Sequence, residues 1–172
     1  MSNNDEYYLN IAREVAKRSK CHSRHVGAVL VQNDRIVATG FNGPPMRMRP
    51  CDERWIEDGL YNNRLLSMAL GQSLQGRCPR RCVGHPSGEG LHLCPAVHAE
   101  RNALLSAALN GVSTKGGALY CWCGRPCKDC MVEIVNAGIT TLVFLKEDTA
   151  YDDLSGAIMK ECGLVVREVE VP

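Results

Sequence analysis

"ALYCWCGRPCKDCMVEIVNAGITTLVFL", residues 118–145, is the stretch from which the fold is read. Two short runs rich in aromatic and β-branched residues, ALYCW and TLVFL, have the character of strands. Between them, Cys127 to Ala137 carries apolar residues at helical spacing and is followed by Gly138, a residue suited to the left-handed position after a helix. The same alternation continues on both sides. A helix is expected from about Val97 to Asn110, ending at Gly111, and another from Asp152 to Cys162, stopped by Gly163 and leading to the strand LVVREVEV.

Towards the N-terminus, Tyr8, Ile11, Ala12, Val15 and Ala16 recur at helical spacing between Asp5 and Lys20. VGAVLV (26–31) and RIVATGF (35–41) read as a hairpin joined by QND. Together these elements predict a three-layer α/β/α sandwich with a central mixed sheet of about five strands. Asn42 to Pro95 is irregular and rich in Gly, Pro, Arg and Cys, and only LYNNRLLSMAL (60–70) within it has helical character. The expected organisation is one domain over 1–172 with a Cys/Arg-rich insertion at about 44–94.

Composition narrows the classes of function. With 45% hydrophobic and 23% charged residues the chain is globular in character, and no apolar stretch is long enough to cross a bilayer. The opening MSNNDEYYLN has no charged-then-apolar export pattern, so the expected address is cytoplasmic, where thiols stay reduced. Ten cysteines then read as metal ligands, reactive groups or small core residues. A net charge of +1 argues against a nucleic acid polymer as partner. The seven arginines between residues 44 and 95 are interspersed with Asp52, Glu53, Glu57, Asp58 and Glu89, and few aromatics are present for base stacking.

Cys127 and Cys130 stand three apart at a helix start, where one turn can offer a metal two sulfurs and the helix dipole favours thiolate. Pro126 suits helix entry, having no N–H to leave unsatisfied. Taken alone the pair also fits a redox motif or two buried thiols. PAVHAERNAL (95–104) changes the balance. His98 can supply an imidazole nitrogen, and Glu100, two residues on, can face a coordination position left open. Three ligands plus a carboxylate is the pattern of catalytic zinc, whereas structural zinc is closed by a fourth side chain. Zinc pulls the pKa of bound water towards ~7, and Glu100 can take and pass on the proton.

At these residues the chain resembles the zinc-dependent cytidine and deoxycytidylate deaminase superfamily, whose signature is His-x-Glu with Pro-Cys-x-x-Cys. The resemblance implies that His98, Cys127 and Cys130 hold zinc. It also implies that activated water attacks C4 of cytosine while Glu100 protonates N3 and the departing amine. SKCHSRHVGAVLVQNDRIVATGFNGPP (19–45) is similar to the opening of the deoxycytidylate branch. That similarity implies hydrolysis of dCMP to dUMP and ammonia for thymidylate supply, with Asn42 on the sugar and the backbone at Ala99 fixing the base. Arg24 becomes a candidate for the phosphate, beside its reading as a solvated surface arginine. Rival readings are deamination of tRNA adenosine or of a riboflavin-pathway pyrimidine, and a non-catalytic zinc-stabilised binding module.

The resemblance further implies a second, structural zinc drawing on Cys21, Cys51 and Cys94. Cys78 would complete that shell, with Cys82 and His92 as rivals for the last place. It also implies a homohexamer with dCTP and dTTP as effectors. Cys121, Cys123 and Cys162 read as core packing. Trp122 reads as core or as a border of the base pocket, and Arg125 as a phosphate attractor or an exposed charge.

Overall fold

In β1 (Gly27–Gln32), Ala28 and Leu30 join one apolar cluster while Val29 and Val31 join another, and all four are buried. Side chains alternate across a strand, so a strand with this pattern must be covered on both faces. The computed structural model, which describes residues 3–57, 75–86, 88–147 and 152–170, shows what covers them. The expected helix LYNNRLLSMAL lies outside the described residues.

β1 turns back into β2 (Arg35–Phe41) through Asn33 and Asp34, both left-handed at φ 50° and 56°. Two successive positive φ values make the tight hairpin turn whose twist matches that of the strands, and Asn and Asp tolerate it. β1 also pairs antiparallel with β3 (Ala118–Trp122); β3 then runs parallel to β4 (Thr141–Leu145), and β4 parallel to β5 (Val165–Val169). The order β2-β1-β3-β4-β5 gives a mixed five-stranded sheet.

On one face lies α1 (Asn3–Ala16), whose Tyr8, Leu9 and Ala12 pack against Val29, Val31, Tyr120 and Val143. On the other lie α4 (Ala99–Leu109), α5 (Lys128–Asn136) and α6 (Asp153–Glu161). There Ala103, Ala107, Met131 and Ile134 close over Leu30, Leu119, Leu142 and Phe144. Each large apolar side chain fully buried this way contributes about 1.5–3 kcal/mol. The three-layer α/β/α sandwich is therefore present.

Two glycines set how closely helices approach the sheet. A Cβ on Gly27 would collide with the Ala12 carbonyl, and one on Gly40 would collide with Ala99 O and Ala103 N. Gly40 thus lets the first turn of α4 rest directly on β2, which matters for the site built there.

Beyond shifts of one or two residues at element ends, the structure differs from expectation in the first helix, the insertion and Cys162. α1 stops at Ala16 and not Lys20, because Lys17, Arg18 and Ser19 bond three residues back in tighter turns. The insertion contains α2 (Cys51–Glu57), the single turn α3 (Pro79–Cys82) and a 3₁₀ turn at Leu91–Leu93. Pieces of three to seven residues are too short for a periodic apolar signal. Cys162, expected in the core, is exposed after α6. Among the described residues no helix is long and apolar enough to cross a membrane.

Candidate metal centre and active site

His98 and Cys127 occupy equivalent places, each the extended residue immediately before a helix, at φ −71°, ψ 156° and φ −66°, ψ 165°. Their carbonyls accept the first helical bonds, from Asn102 N–H at 3.0 Å and Met131 N–H at 2.9 Å. Neither side chain caps its own helix, so both are free to turn into one space. α4 is fastened to the end of β2 by Asn102 Nδ2, which donates to the Phe41 carbonyl at 2.7 Å. Val97, next to His98, exchanges backbone bonds of 2.8 and 3.1 Å with Gly43. α5 belongs to the crossover from β3 to β4, and Arg101 on α4 pairs with Glu133 on α5 at 2.7 Å. Both partners of that pair are substantially exposed, so it orients the helices more than it stabilises them.

These restraints bring His98 Nδ1 to 3.5 Å from Cys127 Sγ and 3.3 Å from Cys130 Sγ, with the three atoms all within 4.8 Å of one another. Nitrogen at ~2.0 Å and sulfur at ~2.3 Å from a tetrahedral zinc lie roughly 3.5–3.8 Å apart. The imidazole and two sulfurs therefore fit zinc in donor type and in spacing. Among the described residues no other three metal-ligating side chains come this close.

The electrostatics agree. Cys127 is lowered to about 4, chiefly by a hydrogen bond from the Cys130 thiol; burial opposes this, and His98 and the Cys130 backbone N–H add to it. Cys130 is pushed up by the same shared bond and by burial, so of the two sulfurs Cys127 is the one that favours the thiolate. His98 is raised, first through its bond to Cys127, while burial works the other way.

Glu100, in the first turn of α4, is 3% exposed, and burial is the largest influence raising its pKa. It lines a cleft of about 460 Å³ together with His98 and Cys127. A buried carboxylate with a raised pKa beside a metal-binding trio is the arrangement required of a group that carries protons.

The other residues singled out from the sequence are distributed as follows. Ala99, Asn42 and Arg24 all line the cleft. Ala99 is the first residue of α4, so its N–H has no intrahelical acceptor. Asn42 is largely committed to the chain: Oδ1 accepts from Val26 N–H at 2.9 Å and Ser19 Oγ at 2.7 Å, and Nδ2 donates to the Arg24 carbonyl at 2.8 Å. One Nδ2 hydrogen remains. Arg24 is 43% exposed and paired with Glu147 at 3.3 Å. Trp122 packs on the α1 side, with Arg13 5.4 Å over its ring, away from the cleft. Arg125 borders the cleft, and its Nη2 donates to the Asp152 carbonyl at 2.9 Å.

Cys21, Cys51, Cys78 and Cys94 are all half-buried. Cys51 is pushed up to about 11, first by burial and then by Cys94, with Cys21 and Cys78 adding and Arg54 opposing. The four sulfurs thus act on one electrostatic neighbourhood, though no three of them lie mutually within 4.8 Å.

Among the cleft-wall residues that sequence reasoning did not assign to the site, three have ionisable side chains. Cys123, expected in the core, reaches it from the end of β3, Glu147 from beyond β4, and Arg80 from α3. Glu147 Oε1 accepts from Gly124 N–H at 2.9 Å and from Arg24. Nothing in the local sequence separates Arg80 from the other arginines of the insertion.

Residues 2–146 match the family described as the cytidine and deoxycytidylate deaminase zinc-binding region. The deoxycytidylate deaminase of Saccharomyces cerevisiae is 34% identical over 165 residues, covering 95% of this chain and 44% of the yeast protein. The chain therefore spans under half the length of that relative. Deoxycytidylate deaminase of Enterobacteria phage T4 is 34% identical over 178 residues, covering 94% of this chain and 87% of the phage protein. In structure, dCMP deaminase from the cyanophage S-TIM5, solved with dCMP and dUMP, superposes with a TM-score of 0.67 at 24% identity, covering 98% of each chain. That likeness shows a shared fold. With the family match spanning β1 to β4 and both halves of the metal site, the chain belongs to the cytidine and deoxycytidylate deaminase family.

Proposed function

We propose that this chain catalyses the hydrolytic deamination of dCMP to dUMP and ammonia, supplying dUMP for thymidylate synthesis. The observation that carries this reading is the buried carboxylate of Glu100 in the same cleft as His98 and Cys127, two of the three metal-binding groups that Cys130 completes. The names of the relatives support the choice of dCMP, as does the nucleotide pair bound by the S-TIM5 enzyme.

His98, Cys127 and Cys130 would hold the zinc, which when bound activates water for attack at C4 of the pyrimidine. Glu100 takes one proton from the water and delivers it to ring N3 as oxygen bonds to C4. It then takes the second proton from the new C4 hydroxyl and delivers it to the amino group, so that the C4–N bond breaks, C4=O forms and ammonia leaves. Its burial keeps the proton on the path between water and base. The Ala99 N–H faces the base, and the remaining Nδ2 hydrogen of Asn42 is available to the sugar. Arg24 stands at the cleft mouth as a candidate for the phosphate.

Cys21, Cys51, Cys94 and Cys78 are read as a second, structural zinc site, supported by their joint effect on Cys51. The chain is read as one catalytic domain, 1–172, with the insertion at about 44–94. A cytoplasmic location, a homohexamer and regulation by dCTP and dTTP belong to the same reading and rest on the family resemblance. Against a non-catalytic zinc module stands Glu100, since a purely structural centre has no use for a buried acid in an open cleft.

Assay of dCMP, dCTP, cytidine and adenosine-bearing RNA side by side tests the proposal. Turnover of dCMP is expected; turnover confined to RNA would defeat it.

A further inference from the structure

Arg80 is a buried charge without a counter-charge. It is 8% exposed and comes from the insertion, yet it lines the same cleft as His98 and Glu100. Its Nη1 donates to the Pro86 carbonyl at 2.7 Å and to the Glu89 carbonyl. Its Nε is buried and has no acceptor. Among the described residues no carboxylate pairs with it, and Nη2 donates to none of them. Carbonyl dipoles hold the group in place but leave its charge uncompensated, and removing a guanidinium from water is unfavourable unless an anion joins it.

The other cations of the cleft are differently placed. Arg24 is 43% exposed and already neutralised by Glu147, so solvent and its partner weaken it. Arg125 also has a carbonyl anchor, Asp152 at 2.9 Å, and a buried Nε without an acceptor, but as a residue it is only half-buried. Arg80 is screened least, and its forked donors suit the oxygens of a phosphate monoester. A cleft of about 460 Å³ is of the size that holds a small ligand.

We propose that Arg80 binds the 5′-phosphate of the nucleotide whose base lies at the His98–Glu100 end, making it the residue that separates nucleotide from nucleoside. This rests on the deaminase reading for the placement of the base. The insertion would then supply part of the substrate site as well as cysteines.

The test compares the affinities of the metal-loaded protein for dUMP and 2′-deoxyuridine by calorimetry, with inorganic phosphate as competitor, and in parallel its turnover of dCMP. In Arg80→Gln the ratio of dUMP to deoxyuridine affinity is expected to fall roughly 10–100-fold, the range for hydrogen bonds to a charged group. Arg80→Lys keeps the charge without the fork; it should show a smaller fall and carries the test if the glutamine variant does not fold. Melting temperatures report whether each variant keeps the wild-type fold. An unchanged ratio, or equal losses for both ligands, would make Arg80 a strut and overturn the proposal. So would a wild type that binds dUMP no tighter than deoxyuridine, and continued cytosine turnover would then leave the deaminase reading intact. Arg80-dependent dUMP binding without any turnover would do the reverse.

Discussion

Nδ1 of His98 and Sγ of Cys127 lie 3.5 Å apart although 29 residues separate them, each on the residue that precedes a helix. Both helices pack on the same sheet face, and the meeting of their starts makes the metal pocket. Replacing His98 with Ala or Cys127 with Ser leaves two ligands. Zinc per chain, read by mass spectrometry, should fall, and kcat/KM should drop by more than the ~100-fold usual for groups that only orient a ligand. Full metal and full turnover in either variant would reverse the assignment.

Glu100→Gln keeps the size of the buried side chain and removes its proton chemistry. The three metal-binding groups are untouched, so zinc content should stay at the wild-type level. Loss of general acid–base catalysis predicts a fall in kcat of about 10²–10⁴-fold. Turnover within a few-fold of wild type would rule out the proton-carrying role.

Gly40 lies where the first turn of α4 touches β2, and an added Cβ would meet Ala99 O and Ala103 N. These are backbone atoms and cannot swing aside. Gly40→Ala is expected to destabilise by about 3 kcal/mol or more, at the upper end of overpacking costs. That corresponds to a melting temperature roughly 6–12 °C lower for a chain of this size. An unchanged melting curve would show that α4 can lift freely from the sheet.

Asp152 serves two helices. Its Oδ1 accepts from Ser155 N–H at 2.7 Å, capping α6, and its Oδ2 accepts from Lys128 N–H at 2.8 Å, next to Cys127. Asp152→Ala should cost about 1–2 kcal/mol, as cap removals do. Asp152→Asn, which retains one acceptor oxygen, should cost less. Thermal melts of the two variants check the order.

Asp52 is held below its ordinary value of 3.8 despite burial, because the Gly76 N–H at 2.7 Å and His22 at 3.0 Å favour the carboxylate. The folded chain thus releases this proton more readily than the unfolded one, so stability rises with pH. The contribution is fully present above the unfolded value near 3.8 and is lost as pH falls through the lower folded value. The melting-temperature gap between wild type and Asp52→Asn should be open at pH 6 and close below about pH 4. A gap that widens on acidification would contradict this.

Adjacent residues carry much of this protein in plain view. The alternation in β1, the Asn33–Asp34 turn and Gly138 after α5 depend on neighbours a few positions away, so their type is legible without coordinates. The two ligand segments are legible for the same reason, since Cys127 and Cys130 share one turn and His98 and Glu100 another. Sheet order and helix approach decided the rest. They place His98 against both sulfurs, turn Trp122 to the α1 side, expose Cys162, and bury Arg80 while Arg24 stays in water and paired. Burial and charge pairing depend on what distant chain segments cover, and a run of arginines and cysteines has the same local pattern whichever member ends up inside.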